Sequence, residues 1–171
     1  MSWSQENGNR PVPELQQNLE ILKEVPFFEG FPPEVMKLLA YLSVRGDYEE
    51  GDILFETGDD PGIAFAVVTG ELAVYREGNK GEERLRSYNQ GEFLGTFSLI
   101  GPMPSLFTMK ATTTTRLLIV NREQFSKVMD QHKELGPLLR KAILKQLRRW
   151  EQANIEELES CCLQKVGVTL L

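Results

Sequence analysis

The sequence predicts a mainly β fold, a sandwich or barrel, bracketed by helices. Short β-rich segments follow one another at Val44–Tyr48, Ile53–Phe55, Ile63–Val68, Glu71–Arg76, Arg84–Tyr88, Phe107–Thr112 and Arg116–Val120. The breaks between them are turn chemistry: Glu50-Gly51-Asp52, Thr57-Gly58-Asp59, Asp60-Pro61-Gly62, Thr69-Gly70-Glu71, Gly78-Asn79-Lys80-Gly81 and Asn89-Gln90-Gly91. Strands at this spacing, punctuated by Gly, Asp and Asn, are the pattern of a packed all-β unit. At both ends the apolar period lengthens to three and four residues, which is helical.

In chain order, Glu14 to Val25 reads as a helix with Leu15, Leu19 and Leu22 on one stripe, stopped by Pro26. Phe27, Phe28 and Phe31 read as core material, and Pro32-Pro33 opens a second helix through Leu42 on Val35, Leu38, Leu39 and Leu42. After the strands, Asn121 with Gln124 has the form of a capping box for a helix carrying Phe125, Val128 and Met129. Gly136-Pro137 precedes a longer helix over about Leu138 to Glu159, where Leu139, Ile143, Leu147, Trp150 and Ala153 form one apolar stripe with Gln146 inside it. The expected organisation is a flexible lead at 1–13, a β domain with flanking helices at 14–134, the long C-terminal helix at 135–160 and a tail at 161–171.

A chain of 171 residues suits one domain with a helical appendage and buries a sizeable core. The 41% hydrophobic and 26% charged fractions are those of an ordinary globular protein. A formal charge of −6 argues against a nucleic-acid-binding surface over the whole molecule. No apolar run reaches the ~20 residues of a membrane span, and MSWSQENGNR lacks a signal-peptide core, so a cytoplasmic location is expected. The adjacent Cys161 and Cys162 have no zinc or iron–sulfur spacing and read as free thiols in the tail.

The most distinctive stretch is Gly91 to Thr108, which holds Gly91, Gly95, Gly101, Pro102 and Pro104 between two strand patterns. That composition fits a backbone that bends tightly and approaches something closely. Together with Gly51-Asp52, Gly58-Asp59 and Gly70-x-Leu72-x-Val74, the motif Gly91-x-Phe93-x-Gly95 resembles the β-roll of the cyclic-nucleotide-binding domain family. That family includes the catabolite-activator regulators, cAMP-dependent kinase regulatory subunits and gated channels. The match covers about residues 20 to 155 and implies a double-stranded β-helix or jelly-roll (β-roll), with N-terminal helices and two C-terminal helices.

The resemblance also implies a ligand site in the phosphate-binding cassette, here Gly95, Thr96, Phe97, Ser98, Ser105 and Leu106. In the family a Glu follows the glycine matched by Gly95 and binds the ribose 2′-hydroxyl. An Arg after the proline matched by Pro104 forks onto the cyclic phosphate. This chain has Thr96 and Ser105 at those places. Between Arg86 and Arg116 the only cation is Lys110, and between Glu92 and Glu123 there is no carboxylate, so no shift of register restores the pair. Charge-assisted hydrogen bonds contribute about 1.5–3 kcal/mol each, so the loss of both weakens nucleotide binding by roughly 3–6 kcal/mol. Either the hydroxyls of Thr96, Ser98 and Ser105 hold a weak effector beside a short helical turn, or they cap a loop filled by Leu106 and Phe107.

The long trailing helix is the dimer seam in the family, so the stripe of Leu139, Ile143, Leu147, Trp150 and Ala153 is a candidate homodimer face; alternatively it packs on its own roll. Haem-sensing relatives need an imidazole near the pocket, whereas the single histidine, His132, falls late in the first trailing helix. No metal cluster, cofactor motif or catalytic set is legible, and no helix-turn-helix follows the long helix. The expected function is a non-catalytic regulatory module with a degenerate cassette, acting through dimerisation or a protein partner, without cofactor, direct DNA binding or membrane insertion. The alternative is a sensor that still binds cAMP, cGMP or another small effector.

Overall fold

The computed structural model describes residues 13–78 and 81–157, with side chains described to Ala153. Helix α1 spans Glu14–Glu24 and a 3₁₀ turn follows at Pro26–Phe28, where Pro26 denies the helix its next hydrogen bond. Helix α2 covers Pro33–Leu42 with a proline in its first turn, where the missing N–H costs nothing. The strands are β1 (Val44–Tyr48), β2 (Ile53–Phe55), β3 (Ile63–Thr69), β4 (Glu71–Gly78), β5 (Gly81–Asn89), β6 (Phe93–Leu94), β7 (Thr108–Ala111) and β8 (Thr115–Asn121). Helices α3 (Arg122–Gln131) and α4 (Gly136–Glu157) complete the described chain. Cys161 and Cys162 lie outside the described residues.

The strands form two antiparallel four-stranded sheets, ordered β1-β8-β3-β6 and β2-β7-β4-β5. This is the expected roll. The first sheet is covered on both faces, which explains the unbroken apolar run Ile63-Ala64-Phe65-Ala66-Val67-Val68 in β3. Alternate residues serve different cores. Phe65 and Val67, with Leu117 and Ile119 of β8, face the second sheet and join Leu72, Val74, Met109 and Ala111. Ala64, Ala66 and Val68, with Leu118 and Val120, face the helices.

The helix-side core holds the aromatic cluster expected at Phe27, Phe28 and Phe31. Phe28 meets Phe31 and Phe93 edge-on at 5.7 and 5.6 Å, and Phe125 closes the group from α3. Leu138, Leu139 and Ile143 of α4 pack against the same core, and Ala142 is buried in it. Lys145 and Glu29 tie the helix to the turn after Phe28.

Among the elements, the sequence expectations change at the start of α3 and at β6. The Asn121–Gln124 capping box does not form: Asn121 precedes α3 but makes no side-chain cap hydrogen bond. Its backbone is the last residue of β8 and stays paired to Ile63 in the sheet ladder. The other change is β6, two residues that pair with Phe65 and Ala66 and lie inside the stretch read as a bending loop.

Candidate functional site

The cassette begins where β6 ends. Gly95 has φ +79°, and a Cβ there would stand 2.5 Å from the carbonyl oxygen of Ile63, so only glycine lets this backbone lie against β3. The chain then makes one 3₁₀ turn, Thr96–Leu99, closed by the Ser98 amide donating to the Gly95 carbonyl at 2.9 Å. Leu99 anchors the turn in the helix-side core. Thr96 and Ser98 are buried, while Phe97 is half-buried.

Thr96 lines a cleft of about 410 Å³ between α1, the helix-facing side of β3 and α4. Ile21, Phe27 and Phe93 supply its apolar walls, and Gln146 and Arg149 stand at α4. This cleft lies on the helix side of the first sheet, outside the space between the two sheets.

The second half of the cassette is tied to the β2–β3 loop. The Ser105 amide donates to the Asp59 carbonyl at 2.7 Å, and the Ser105 carbonyl accepts from the Gly58 amide at 2.8 Å. The Ser105 hydroxyl donates to the Phe107 carbonyl at 2.6 Å and accepts from the Phe107 amide at 3.3 Å. It therefore closes a local turn. Phe107 packs on the inter-sheet core, its ring 6.3 Å from that of Phe55. Leu106 does not fill the loop as expected; it is 84% exposed, while Phe107 beside it takes the inward place.

Among the described residues, the charges beside the cassette engage one another: Asp60 accepts from the Met103 amide at 3.3 Å and from Arg122 at 2.8 and 2.6 Å. Lys110 lies opposite Ala73, on the sheet face away from Val74, and its ammonium holds Glu82 at 2.6 Å over the Tyr75 ring. Glu92 accepts from the Asn89 amide at 2.6 Å. His132 caps the end of α3 beside Glu134, far in sequence from the cassette. Among the described residues no group of His, Cys, Asp and Glu has the arrangement of a metal site, and no helix is long and apolar enough to cross a membrane.

The helical stripe is divided by the fold. Leu139 and Ile143 are half-buried against the helix-side core, and Leu147 is half-buried. Trp150 and Ala153 are exposed, and so is Leu144, one residue off the stripe. Leu144 is missing from the sequence reading because the 139/143/147 spacing places it off the stripe; only the docking of α4 on the core reveals which side stays open.

Comparison with known proteins places this geometry. The family model for the cyclic nucleotide-binding domain matches residues 45–132. The chain is 27% identical over 109 residues to the cAMP-dependent protein kinase regulatory subunit of Hypocrea atroviridis, covering 63% of this chain and 22% of that one. It spans 22–28% of the length of three such regulatory subunits. A cyclic nucleotide-binding-like protein from Brucella abortus superposes with a TM-score of 0.62 at 30% identity, covering 67% of this chain and 98% of that one. The N-terminal domain of a transcriptional regulator from Streptomyces coelicolor A3(2) superposes with a TM-score of 0.69 at 25% identity, over 78% of this chain and 94% of that one. The β-roll fold is thus shared with these proteins, and the chain belongs to the cyclic nucleotide-binding domain family.

Proposed function

We propose that this chain is a non-catalytic regulatory module whose cassette is degenerate for cyclic nucleotides, and which acts through dimerisation or a protein partner. The observation that carries the reading is the pair Thr96 and Ser105. Neither bears a charge, and the Ser105 hydroxyl is already committed to the Phe107 backbone. A loss of roughly 3–6 kcal/mol turns a micromolar site into a millimolar one or worse. The docking face belongs to α4, where Leu144 and Trp150 are 63% and 64% exposed. The net charge of −6 favours a protein over a nucleic acid as partner.

A second reading, a sensor for another small effector, is favoured by the retained backbone of the cassette: Gly95 in the left-handed region and the 3₁₀ turn after it. Calorimetric titration of the full chain with cAMP and cGMP at low salt separates the readings from ordinary second-messenger sensing. No saturable heat is expected to about 1 mM, whereas a Kd below about 10 μM overturns the degenerate-cassette reading. The double variant Thr96→Glu/Ser105→Arg is the second arm. A gain of about a hundredfold or more is expected if the turn is still preorganised; no gain means that the loop has been rebuilt.

A further inference from the structure

The cleft of about 410 Å³ on the helix side of the first sheet is lined by groups of two kinds. Ile21, Phe27, Val68 and Phe93 give it apolar walls, drawn from α1, the turn after it, β3 and β6. Thr96 is the buried polar member of the lining. It is only 5% exposed, yet its hydroxyl makes no hydrogen bond among the described residues and is not fully enclosed. A buried hydroxyl without a partner costs stability, and one that lines a cleft is placed for a ligand to complete it.

The charges of the cleft stand on two different helices. Glu24 ends α1, and Arg149 belongs to α4. Neither forms an ion pair among the described residues. Glu29, on whose carboxyl Arg149 also acts, is held by Lys145. Around Glu24 the end of α1 adds negative potential, because a helix leaves its last C=O groups unpaired and Pro26 brings no N–H to them. Gln90 and Gln146 add neutral hydrogen-bonding groups. The lining is therefore balanced, negative at the α1 end and positive at α4. An anion gains Arg149 but meets Glu24, and a cation does the reverse; a zwitterion satisfies both.

We propose that this cleft binds a free α-amino acid with an aromatic or branched apolar side chain. The ammonium meets Glu24 and the end of α1, and the carboxylate takes the Arg149 guanidinium and the Gln146 amide. The apolar side chain lies on Phe27, Val68 and Phe93, and the Thr96 hydroxyl supplies a further hydrogen bond. A cleft of this volume is within the range of small-molecule sites. The site lies outside the space between the two sheets, and it does not depend on whether the cassette takes a nucleotide.

The test is calorimetric titration of the full chain with L-phenylalanine and with L-leucine, and with phenethylamine and 3-phenylpropionate, which each keep one of the two charges. In NMR the methyl groups of Ile21 and Val68 report on the cleft, and those of Leu72 on the inter-sheet core. Saturable binding of at least one amino acid is expected, with Ile21 and Val68 shifting, Leu72 still, and both one-charge analogues weaker by about tenfold or more. Arg149→Gln should weaken the amino acid by about threefold or more and leave phenethylamine unchanged. Glu24→Gln should weaken it similarly and leave 3-phenylpropionate unchanged, and Thr96→Val should cost about fivefold. Positions 24 and 149 are exposed, so both charge variants should keep the wild-type Tm. No saturation by either amino acid at about 10 mM, analogues that bind equally well, binding undiminished by Arg149→Gln, or shifts centred on Leu72 overturn the proposal. Titration with cAMP in parallel keeps the readings apart. Failure of the amino acids with no cAMP heat removes the cleft site and leaves the regulatory module; micromolar cAMP binding removes the degenerate-cassette reading whatever the cleft does.

Discussion

At the scale of single residues, two glycines with nearly the same backbone conformation carry different burdens. Gly91 has φ +90° and Gly95 has φ +79°, yet a Cβ on Gly91 meets nothing within 4 Å while one on Gly95 strikes the Ile63 carbonyl and the Ala64 Cα. Alanine at position 91 therefore costs only the left-handed conformation, about 1 kcal/mol. Alanine at position 95 adds a clash between two stretches of backbone, and about 3 kcal/mol or more is expected. Urea denaturation of both variants checks the contrast, and equal losses would mean that the cassette turn does not depend on its approach to β3. The uncharged side chains at positions 96 and 105 are also a matter of single residues. Thr96 and Ser105 are legible in the sequence, but what the Ser105 hydroxyl bonds is not. Ser105 turns its hydroxyl back on Phe107, a local closure available to a short side chain and denied to a long cation.

At the scale of elements, most strand and helix positions could be read from period and punctuation, because Gly-Asp turns separate runs with clear faces. β1 and β2 begin and end where the pattern placed them. β6 could not be read, since two residues have no period and exist as a strand only by pairing with β3. A β-bulge at Leu85 of β5 was equally hidden: alternation alone puts Arg84 and Arg86 together, and the register with β4 is what parts them. For α4 the legible stripe ran past the side that the core claims. Its attachment is electrostatic as well as apolar, for the Lys145 ammonium, with Lys141 and Arg149 nearby, holds the Glu29 carboxyl below its ordinary value of 4.5. A carboxylate whose folded value is depressed stabilises the fold above its unfolded value and loses that contribution as pH falls through the folded one. The wild-type advantage over Lys145→Met should thus be present near neutrality and vanish as pH drops below 4.5. Thermal melts of the two proteins across that range check the sign; a gap that persists at the acid end would mean that Lys145 acts through its aliphatic stem.

At the scale of the whole molecule, the helix-side core and the open side of α4 compete for the same apolar residues, and the fold decides the outcome. Leu139 and Ile143 go to the core of their own roll, with Ala142 between them. Leu144 is left 63% exposed, on a helix whose neighbouring Lys141, Lys145 and Arg148 keep that side soluble. A second copy meeting this side would bury Leu144 in each protomer, since a two-fold axis brings the same patch to itself. Leu144→Glu then places two like charges in the seam without touching the core. Sedimentation equilibrium should move from dimer to monomer, with Tm at matched protomer concentration falling only by the lost association. Ile143→Glu is the contrasting change: it drives a carboxylate against the helix-side core and should cost about 2–4 kcal/mol of fold stability in either oligomeric state. A wild-type chain that is already monomeric, or a Leu144→Glu chain that stays dimeric, removes α4 from the interface. Regulation would then have to pass through a different surface of the roll.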